Sequence, residues 1–389
     1  MDFNIFIEPV DYSLFRTKIW PGHKALGQTM LLHNETLPSL EQVKIALIGV
    51  KEERGSEDNE GCSLAPDAVR SSLYGLFGHW STLGIADLGN IRAGFSIDDT
   101  YFALSQVVAE LLRQNIIPVV IGGSQDLSWA IYQAYQQLSK LVNITAIDPI
   151  FDLGTENSSL SSHSWLSHII MSQPNFLFNY TNIGYQSYLI DQQSLDLMSN
   201  LLFDTYRLGN MRAAIEESEP VLRNADMVSF DLTAVRAADA PGNGKAIPNG
   251  FAGEEACRIA RYAGMSDKLS AIGFFELNPM HDSRGVSADL VAQMIWYFID
   301  GVAHRFSELP GQHTEGFTRY LVKIDGQSEE LVFLRSKKSG RWWIDLSMGR
   351  LPGSKYEKHH YVPCSEADYQ QAMRDELPDR WWQFYQKLM

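Results

Sequence analysis

The chain has 389 residues, and 45% of them are hydrophobic, which is ample for a core larger than that of one average domain. The formal net charge of −15 argues against binding to nucleic acid or to an anionic membrane surface. The three cysteines are far apart, the N-terminus does not resemble a secretory signal, and no apolar run approaches the roughly 20 residues that span a bilayer. We therefore expect a cytoplasmic protein without membrane insertion.

Short apolar runs alternate with amphipathic helical patterns through the middle of the chain. The runs lack polar alternation, which is typical of strands that are buried on both faces of a parallel sheet. This order predicts a three-layer α/β sandwich with a mainly parallel sheet. The predicted strands are residues 44–50, 116–121, 143–148, 226–231 and 270–276, and the predicted helices are residues 99–114, 127–141 and 288–306.

The two ends of the chain differ from this pattern. Residues 1–43 show few clear periods, and we expect them to wrap the α/β domain of residues 44–306. Residues 307–389 contain three short β-like segments separated by turn signals, followed by one or two helices rich in Tyr and Trp. This pattern predicts a C-terminal extension made of a β-meander and a helical segment.

Three of the predicted strands are followed by polar motifs that carry the residues of a candidate site. The motifs are Gly122-Gly123-Ser124-Gln125-Asp126, Asp148-Pro149-Ile150-Phe151-Asp152 and Ser229-Phe230-Asp231-Leu232-Thr233. Ligands of open α/β sheets bind at the carboxyl ends of the strands, so these motifs lie where a site is expected.

The order of these motifs resembles that of the ureohydrolase superfamily, which contains arginase, agmatinase and formimidoylglutamase. The resemblance covers residues 44 to about 305 and includes further landmarks in family order. These are Leu47-Ile48-Gly49-Val50, Ala65-Pro66-Asp67-Ala68-Val69-Arg70, Ala240-Pro241-Gly242-Asn243-Gly244 and Phe275-Glu276-Leu277-Asn278-Pro279. It implies an arginase-like fold and a homo-oligomer.

The resemblance also implies a pair of manganese ions, held by four aspartates and two histidines, that activate a bridging hydroxide. In this sequence Gln125 stands at the first histidine position, Ile150 at the second, and Thr233 at one aspartate position. Isoleucine cannot ligate a metal ion, and threonine is a weak neutral ligand. We therefore expect no dinuclear manganese centre, and either no cofactor or one weakly bound divalent cation.

The remaining carboxylates define a vestigial or single-metal site. Asp148, Asp152 and Asp231 keep their positions, and Gln125 would complete the group. Without a metal the three aspartates would repel one another, which predicts raised pKa values or a nearby cation. Arg236 is the first candidate for this counter-charge, and Lys245 is the second.

The resemblance also implies catalytic roles for two further positions. Glu276 matches the acid that receives the substrate cation in arginases, and His163 matches the histidine that acts as general acid and base. His168 is a nearby alternative to His163, because the length of this loop differs between families.

The C-terminal extension contains two tryptophan pairs that are candidates for binding a protein partner. Because Trp and Tyr are enriched at binding hot spots, Trp342, Trp343, Trp381 and Trp382 are candidate contact residues. Adjacent residues of a strand point to opposite faces, so one member of the pair Trp342-Trp343 is expected to face outward.

Three functions are consistent with these features. The first is a catalytically degenerate ureohydrolase-fold protein that binds or scaffolds a partner. The second is a C–N hydrolase of the formimidoylglutamase or arginase kind that uses one metal or none. The third is a sensor of a small amine or guanidinium compound.

Overall fold

The protein is built around one large sheet, seen here in a computed structural model that describes residues 3–11, 25–155, 158–311, 314–324, 330–347 and 360–388. The sheet has ten strands in the order β1-β4-β3-β5-β10-β9-β6-β7-β8, with β2 paired to β4. Its strands are β1 (Ile7–Glu8), β2 (Leu31–Leu32), β3 (Val43–Val50), β4 (Gly84–Ile91), β5 (Ile117–Ile121), β6 (Val142–Ile147), β7 (Leu177–Tyr185), β8 (Asp204–Arg207), β9 (Met227–Asp231) and β10 (Ala271–Phe275). All pairs in this sheet are parallel except β1 with β4.

Helices cover both faces of the sheet. They are α1 (Leu26–Thr29), α2 (Ala65–Leu73), α3 (Ile97–Arg113), α4 (Leu127–Gln137), α5 (Trp165–Met171), α6 (Gln192–Asn200), α7 (Leu208–Ala213), α8 (Ser218–Arg223), α9 (Gly253–Gly264) and α10 (Val286–Ala303). One hydrophobic cluster joins the sheet to α2 and α7–α10, and another joins it to α3–α6. The predicted three-layer α/β architecture is confirmed.

The strands divide their side chains between these two clusters with the expected period of two. In β3, Ile45 and Leu47 belong to one cluster, whereas Ala46 and Ile48 belong to the other. Because both faces are apolar, the strand reads as a continuous hydrophobic run in the sequence.

The predicted N-terminal wrap contributes to one edge of the sheet. β1 pairs antiparallel with β4, and β2 pairs parallel with the same strand. At the other end of the domain, α10 is long and apolar enough to span a membrane by composition, but 61% of that segment is buried inside the protein. Its apolar character therefore reflects its place in the core.

The C-terminal extension is a separate antiparallel meander, as predicted. Its strands are β11 (Phe317–Val322), β12 (Leu331–Ser336), β13 (Trp342–Asp345) and β14 (Tyr361–Cys364), and they pair in chain order. Two helices follow, α11 (Glu366–Ala372) and α12 (Asp379–Leu388). They pack on one face of this small sheet, with Trp381 and Phe384 in the shared core.

The expectation that Trp342 or Trp343 faces outward is wrong. The two rings do point to opposite faces of β13, but both faces are covered. Trp342 stacks on Tyr369 of α11 at a ring-centroid distance of 4.8 Å. Trp343 lies under the guanidinium of Arg223, the last residue of α8, at 4.3 Å. Neither indole is available to a partner.

The other tryptophan pair is divided between core and surface. Trp381 is buried, whereas the side chain of Trp382 is 47% exposed. Of the four tryptophans, Trp382 alone is an exposed large side chain, so the predicted contact surface is reduced to one residue of that set.

Candidate functional site

The three motifs meet at one edge of the large sheet. Four adjacent strands, in the spatial order β5, β10, β9 and β6, end side by side at this edge. Gln125 follows β5, Glu276 follows β10, Asp231 ends β9, and Asp148 and Asp152 follow β6. The predicted convergence of these side chains is therefore present, and it arises because the strands are parallel neighbours.

Each carboxylate is held by a donor from its own loop or from a neighbouring one. Asp148 Oδ1 accepts the backbone N–H of Ile150 at 2.8 Å, and Asp231 Oδ1 accepts that of Thr233 at 2.6 Å. Asp152 Oδ2 accepts the indole N–H of Trp165 at 2.8 Å. Ile150 and Thr233 therefore contact the cluster by donating their backbone N–H groups.

Glu276 is fixed at both oxygens. The backbone N–H of Gln125 donates to Oε1 at 2.8 Å, and the side-chain amide of Asn59 donates to Oε2 at 2.7 Å. Both Glu276 (φ 66°) and Asp152 (φ 49°) adopt the left-handed backbone conformation, which is uncommon for residues other than glycine. Strained backbone at two carboxylates of one cluster is typical of a functional site.

Two buried acceptors of the cluster lack a donor. No N–H or O–H group of the described residues reaches Asp148 Oδ2 or Gln125 Oε1. The carboxyl of Asp152 lies within hydrogen-bonding reach of Asp148, so a shared proton or an added cation would satisfy this oxygen. An unpaired buried acceptor is costly, which makes both atoms candidate ligand contacts.

Burial and mutual repulsion perturb the acidity of all four carboxyl groups. Burial, and then the charges of Asp152 and Asp231, raise the pKa of Asp148 well above its usual range. Burial and the charge of Asp231 raise the pKa of Asp152 to about 7 and that of Glu276 to about 8. Burial raises the pKa of Asp231 to about 6. The expected rise in pKa is present.

The counter-charge prediction is wrong for its first candidate. Arg236 turns away from the cluster and pairs with Asp239 at 2.9 Å, with 40% of its side chain exposed. Lys245, the second candidate, is the cation near the carboxylates, and its charge lowers the pKa values of Asp152 and Asp231 against the effect of burial. Arg236 follows the short 3₁₀ turn Leu232–Ala234 after β9, and from there its side chain points to Asp239.

The two candidate histidines occupy different surroundings. His163 Nε2 lies 2.8 Å from the ammonium of Lys245, and His163 Nδ1 lies 3.5 Å from Glu57 Oε2. Burial and the charge of Lys245 lower the pKa of His163, which favours a neutral imidazole. His168 instead packs edge-on against Trp129 and contacts the backbone of Ser164. His163 is therefore the histidine that lies at the candidate site.

Several residues of the site were not predicted as functional. Asn59 lies far from the motifs in sequence, and its contact with Glu276 depends on the fold. Asn243 belongs to the loop quoted for the family resemblance, and its amide donates to the carbonyl oxygen of Glu276 at 2.5 Å. Trp165 lies two residues after His163. Only the last two had a signal in the sequence: Asn243 belongs to a family-like motif, and Trp165 lies next to a candidate histidine.

The site is nearly closed to solvent. Two surface cavities lie away from it, one of about 300 Å³ between α10 and the segment after α2, and one of about 540 Å³ between α9 and α10, and Gln293 and Tyr297 line both. The four carboxylates are each at most 7% exposed. A ligand must therefore be small or must displace the partly exposed side chains of His163 and Lys245.

The carboxyl cluster predicts an unusual dependence of stability on pH. The folded protein holds protons on Asp152, Asp231 and Glu276 up to about pH 7, 6 and 8, whereas the unfolded chain releases them near their ordinary values of 3.8 and 4.5. Because the folded state binds more protons in this window, the free energy of unfolding should fall as pH rises from about 4 to 8.

Urea unfolding in EDTA across this pH range measures the effect. Asp231→Asn keeps the acceptor for the Thr233 N–H and removes one of the repelling charges, so its slope against pH should be shallower. Asp196→Asn, an exposed change on α6, should keep the slope of the parent protein. An identical slope in Asp231→Asn would contradict the expected repulsion.

Comparison with known proteins identifies the family of this fold and site. The sequence model of the "Arginase family" matches residues 43–300. A formimidoylglutamase of Photorhabdus laumondii is 26% identical over 310 residues, covering 72% of this chain and 95% of that protein. A formimidoylglutamase of Streptococcus pyogenes is 25% identical over 298 residues, covering 70% of this chain and 89% of that protein.

Solved structures share the fold at lower sequence identity. The formimidoylglutamase of Bacillus subtilis superposes with a TM-score of 0.66 at 18% identity, covering 74% of this chain and 94% of that one. The Mn²⁺-containing formiminoglutamase of Trypanosoma cruzi gives a TM-score of 0.62 at 20% identity, covering 69% and 96%. Because the family match extends over more than half of its length, this chain belongs to the arginase family.

Proposed function

We propose that this protein is a formimidoylglutamase-like hydrolase that acts on a C–N bond of a small linear amidine. Two facts support the proposal. The curated relatives named formimidoylglutamase align over most of their own length. The pocket also presents buried carboxylates to a ligand, and an amidinium is a planar cation whose paired N–H groups suit carboxylate oxygens.

The observation that carries the proposal is the unpaired oxygen of Asp148. Asp148 Oδ2 and Gln125 Oε1 are buried acceptors without a donor, among carboxyl groups that are short of positive charge. A cation with N–H donors would supply both the hydrogen bonds and the missing charge. A neutral or anionic ligand would leave the repulsion in place.

The residues present do not fit the pair of manganese ions that the family resemblance implies. Such a pair needs several anionic or imidazole ligands, and Ile150 and Thr233 supply neither. Within the described residues, no group of three or more His, Cys, Asp or Glu side chains is arranged to hold a metal ion. We therefore propose a reaction without two metals. We propose that the aspartates hold at most one metal cation, and that they hold it weakly.

The pocket offers proton carriers that suit this reaction. Hydrolysis adds water to the amidinium carbon, breaks the C–N bond to the substrate amine, and moves both protons of the water to that nitrogen, so that neutral formamide and an alkylammonium ion are released. Asp152, with a pKa of about 7, can exchange a proton near neutral pH. His163 and Lys245 form a second hydrogen-bonded pair at the partly exposed side of the pocket. We propose that Asp152 accepts one proton of the water and that this pair serves the leaving nitrogen.

A second function is favoured by one specific observation. The side chains at positions 150 and 233 cannot replace the metal ligands, so the same pocket would suit a protein that binds an amidine or guanidinium without cleaving it. Such a binding protein would be a sensor or a scaffold. It would bind the same ligand as the hydrolase but would not cleave it.

Turnover and binding measured side by side test both functions. The protein is freed of metal with EDTA and incubated with N-formimidoylglutamate, arginine or agmatine, with and without added Mn²⁺. Formamide or urea release is followed by NMR, and binding is measured by calorimetry. We expect formamide release that Asp152→Asn abolishes and Asp196→Asn retains.

The possible results separate the two functions. Binding of one of these cations without release of product supports the binding protein. Absence of both binding and turnover for all three compounds overturns both proposals. Turnover that depends on two equivalents of Mn²⁺ contradicts the metal argument.

A further inference from the structure

A short loop lies at the partly exposed side of the carboxylate pocket. This loop, residues 55–58, is part of the segment between β3 and α2, and we call it the flap. Before it, the guanidinium of Arg54 binds both oxygens of Glu52, at 2.9 and 2.5 Å. After it, the side-chain amide of Asn59 donates to Glu276 Oε2 at 2.7 Å. The flap is therefore a short span between two anchored residues.

The flap is joined to the loop before α5 by three hydrogen bonds, which we call the latch. The backbone N–H of Ser162 donates to the carbonyl oxygen of Gly55 at 2.8 Å. The backbone N–H of Glu57 donates to Ser162 Oγ at 3.1 Å, and the hydroxyl of Ser161 donates to the Glu57 carboxylate. The latch thus uses both the backbone and the side chain of Glu57.

The latch spans the strand ends that carry the site. The flap follows β3 and the two serines follow β6, whereas β5, β10 and β9 lie between these strands in the sheet. A link between the two outer loops therefore passes over the inner strand ends, from which Gln125, Glu276 and Asp231 extend. Burial agrees with this position, because the side chain of Glu57 is 49% exposed and the carboxylates of the cluster are at most 7% exposed.

We infer that the latch is a gate of the carboxylate pocket, and that a ligand enters when the flap separates from Ser161 and Ser162. Glu57 is the exposed member of the latch, and its carboxylate also lies 3.5 Å from His163 Nδ1. The backbone of Asp58 is left-handed (φ 59°), which is unfavourable for most residues other than glycine. The latch must offset this cost while the flap is closed. The inference rests on the proposed function for the statement that a ligand enters this pocket.

Cys62 reports opening of the flap without any ligand. Its side chain is fully buried beside Ser56 of the flap, so a thiol reagent reaches it when the flap moves away. The parent protein, Glu57→Ala, Ser161→Ala and the double variant are treated with N-ethylmaleimide under native conditions. Labelling of each cysteine is followed by peptide mass spectrometry. When closing is faster than labelling, the rate follows the open population.

We expect Cys62 to be labelled at least ~5-fold faster in each single variant, because each removes the same hydrogen bond to a charged group. The double variant should be labelled about as fast as the faster single variant, since the two changes break one contact. Glu60→Ala is the matched control, because Glu60 is an exposed acid of the same segment that takes no part in the latch. Its labelling should equal that of the parent.

The other two cysteines separate local opening from global unfolding. Cys257 lies in α9 and Cys364 in β14, and both are buried. Their labelling should stay at the rate of the parent protein in all variants. Hydrogen exchange is a second readout, because the backbone N–H groups of Glu57 and Ser162 are donors of the latch. These two groups should exchange faster in Ser161→Ala than in the parent or in Glu60→Ala.

Unchanged labelling of Cys62 in both Glu57→Ala and Ser161→Ala would overturn the inference. Equal acceleration at Cys62 and Cys364 would overturn it too, because the opening would then not be confined to the flap. These results are distinct from failure of the proposed function, which is judged by amidine binding and turnover of the parent protein. Faster opening in a protein that binds no amidine would keep the gate and discard the ligand class.

Discussion

Replacing Arg70 by methionine is expected to lower the free energy of unfolding by about 3 to 5 kcal/mol, because it leaves a buried carboxylate without its partner. Arg70 is fully buried on α2, and its guanidinium forms two hydrogen bonds with Asp87 of β4, at 2.8 and 2.9 Å. It also donates to Asn90 Oδ1 at 2.6 Å and to the Gly89 carbonyl at 2.7 Å. Methionine fills similar space and offers no donor.

Urea unfolding at neutral pH measures this loss. Arg113→Met is the matched control, because Arg113 forms a helical pair with Glu110 at 3.0 Å and is 48% exposed. Exposed pairs of this kind contribute at most about 1 kcal/mol. A loss in Arg70→Met no larger than that in Arg113→Met would show that Asp87 finds another partner or a proton.

Replacing Glu276 by glutamine is expected to weaken amidine binding by at least ~30-fold, because truncating a buried charge that pairs with a ligand costs about 2 kcal/mol or more. The pKa of Glu276 is raised to about 8 in the free protein, and its carboxyl group can lose a proton to pair with a bound cation, whereas the amide cannot. It also places an N–H₂ group against the donor of Asn59 or the backbone N–H of Gln125, both of which now point at carboxylate oxygens.

Calorimetric titration with the tightest of the three amidine or guanidinium compounds checks this result. Glu254→Gln removes a charge from α9 at a side chain that is 85% exposed, and its affinity should stay within about threefold of the parent's. Near-UV circular dichroism reports whether the site remains folded. Unchanged affinity in a folded Glu276→Gln protein would mean that the ligand cation lies on the aspartates alone.

The sequence predicts the fold well where the strands are apolar on both faces. β3, β5, β6, β9 and β10 lie within one or two residues of the predicted runs, and all of them except β3 carry residues of the site. β7 was not predicted, because its sequence contains polar residues that are nonetheless buried. Asn179 donates to Asp204 Oδ2 of β8 at 2.7 Å, and Lys387 of α12 donates to Asn179 Oδ1 at 2.6 Å. These partners come from distant parts of the chain.

The sequence predicted the carboxylates of the site correctly. Of the two cations that it suggested, Arg236 points away and Lys245 lies near the carboxylates. Convergence of Asp148, Asp152 and Asp231 follows from the parallel sheet that the alternation of strands and helices indicates, because the carboxyl ends of parallel strands share one edge. The orientation of Arg236 does not follow from its nearness to Asp231 in sequence, because an intervening turn directs its side chain to Asp239. The loop that carries Lys245 is held by Asn243 and Asn59, which accept the backbone N–H groups of Lys245 and Gly244, and such contacts have no local sequence signal.

The anchoring of the extension on α8 affects how truncated proteins should be interpreted. Arg223 donates to the carbonyl oxygens of Trp342 and Cys364 at 3.0 and 3.1 Å, and its guanidinium is covered by the Trp343 ring. A shortened protein ending near residue 306 would lack these three partners of Arg223, whose buried guanidinium lies at the end of α8. Poor yield or precipitation of that fragment would then indicate damage to the α/β domain, and it would say nothing about a lost binding partner. Point changes at the exposed Trp382 probe the extension without this side effect.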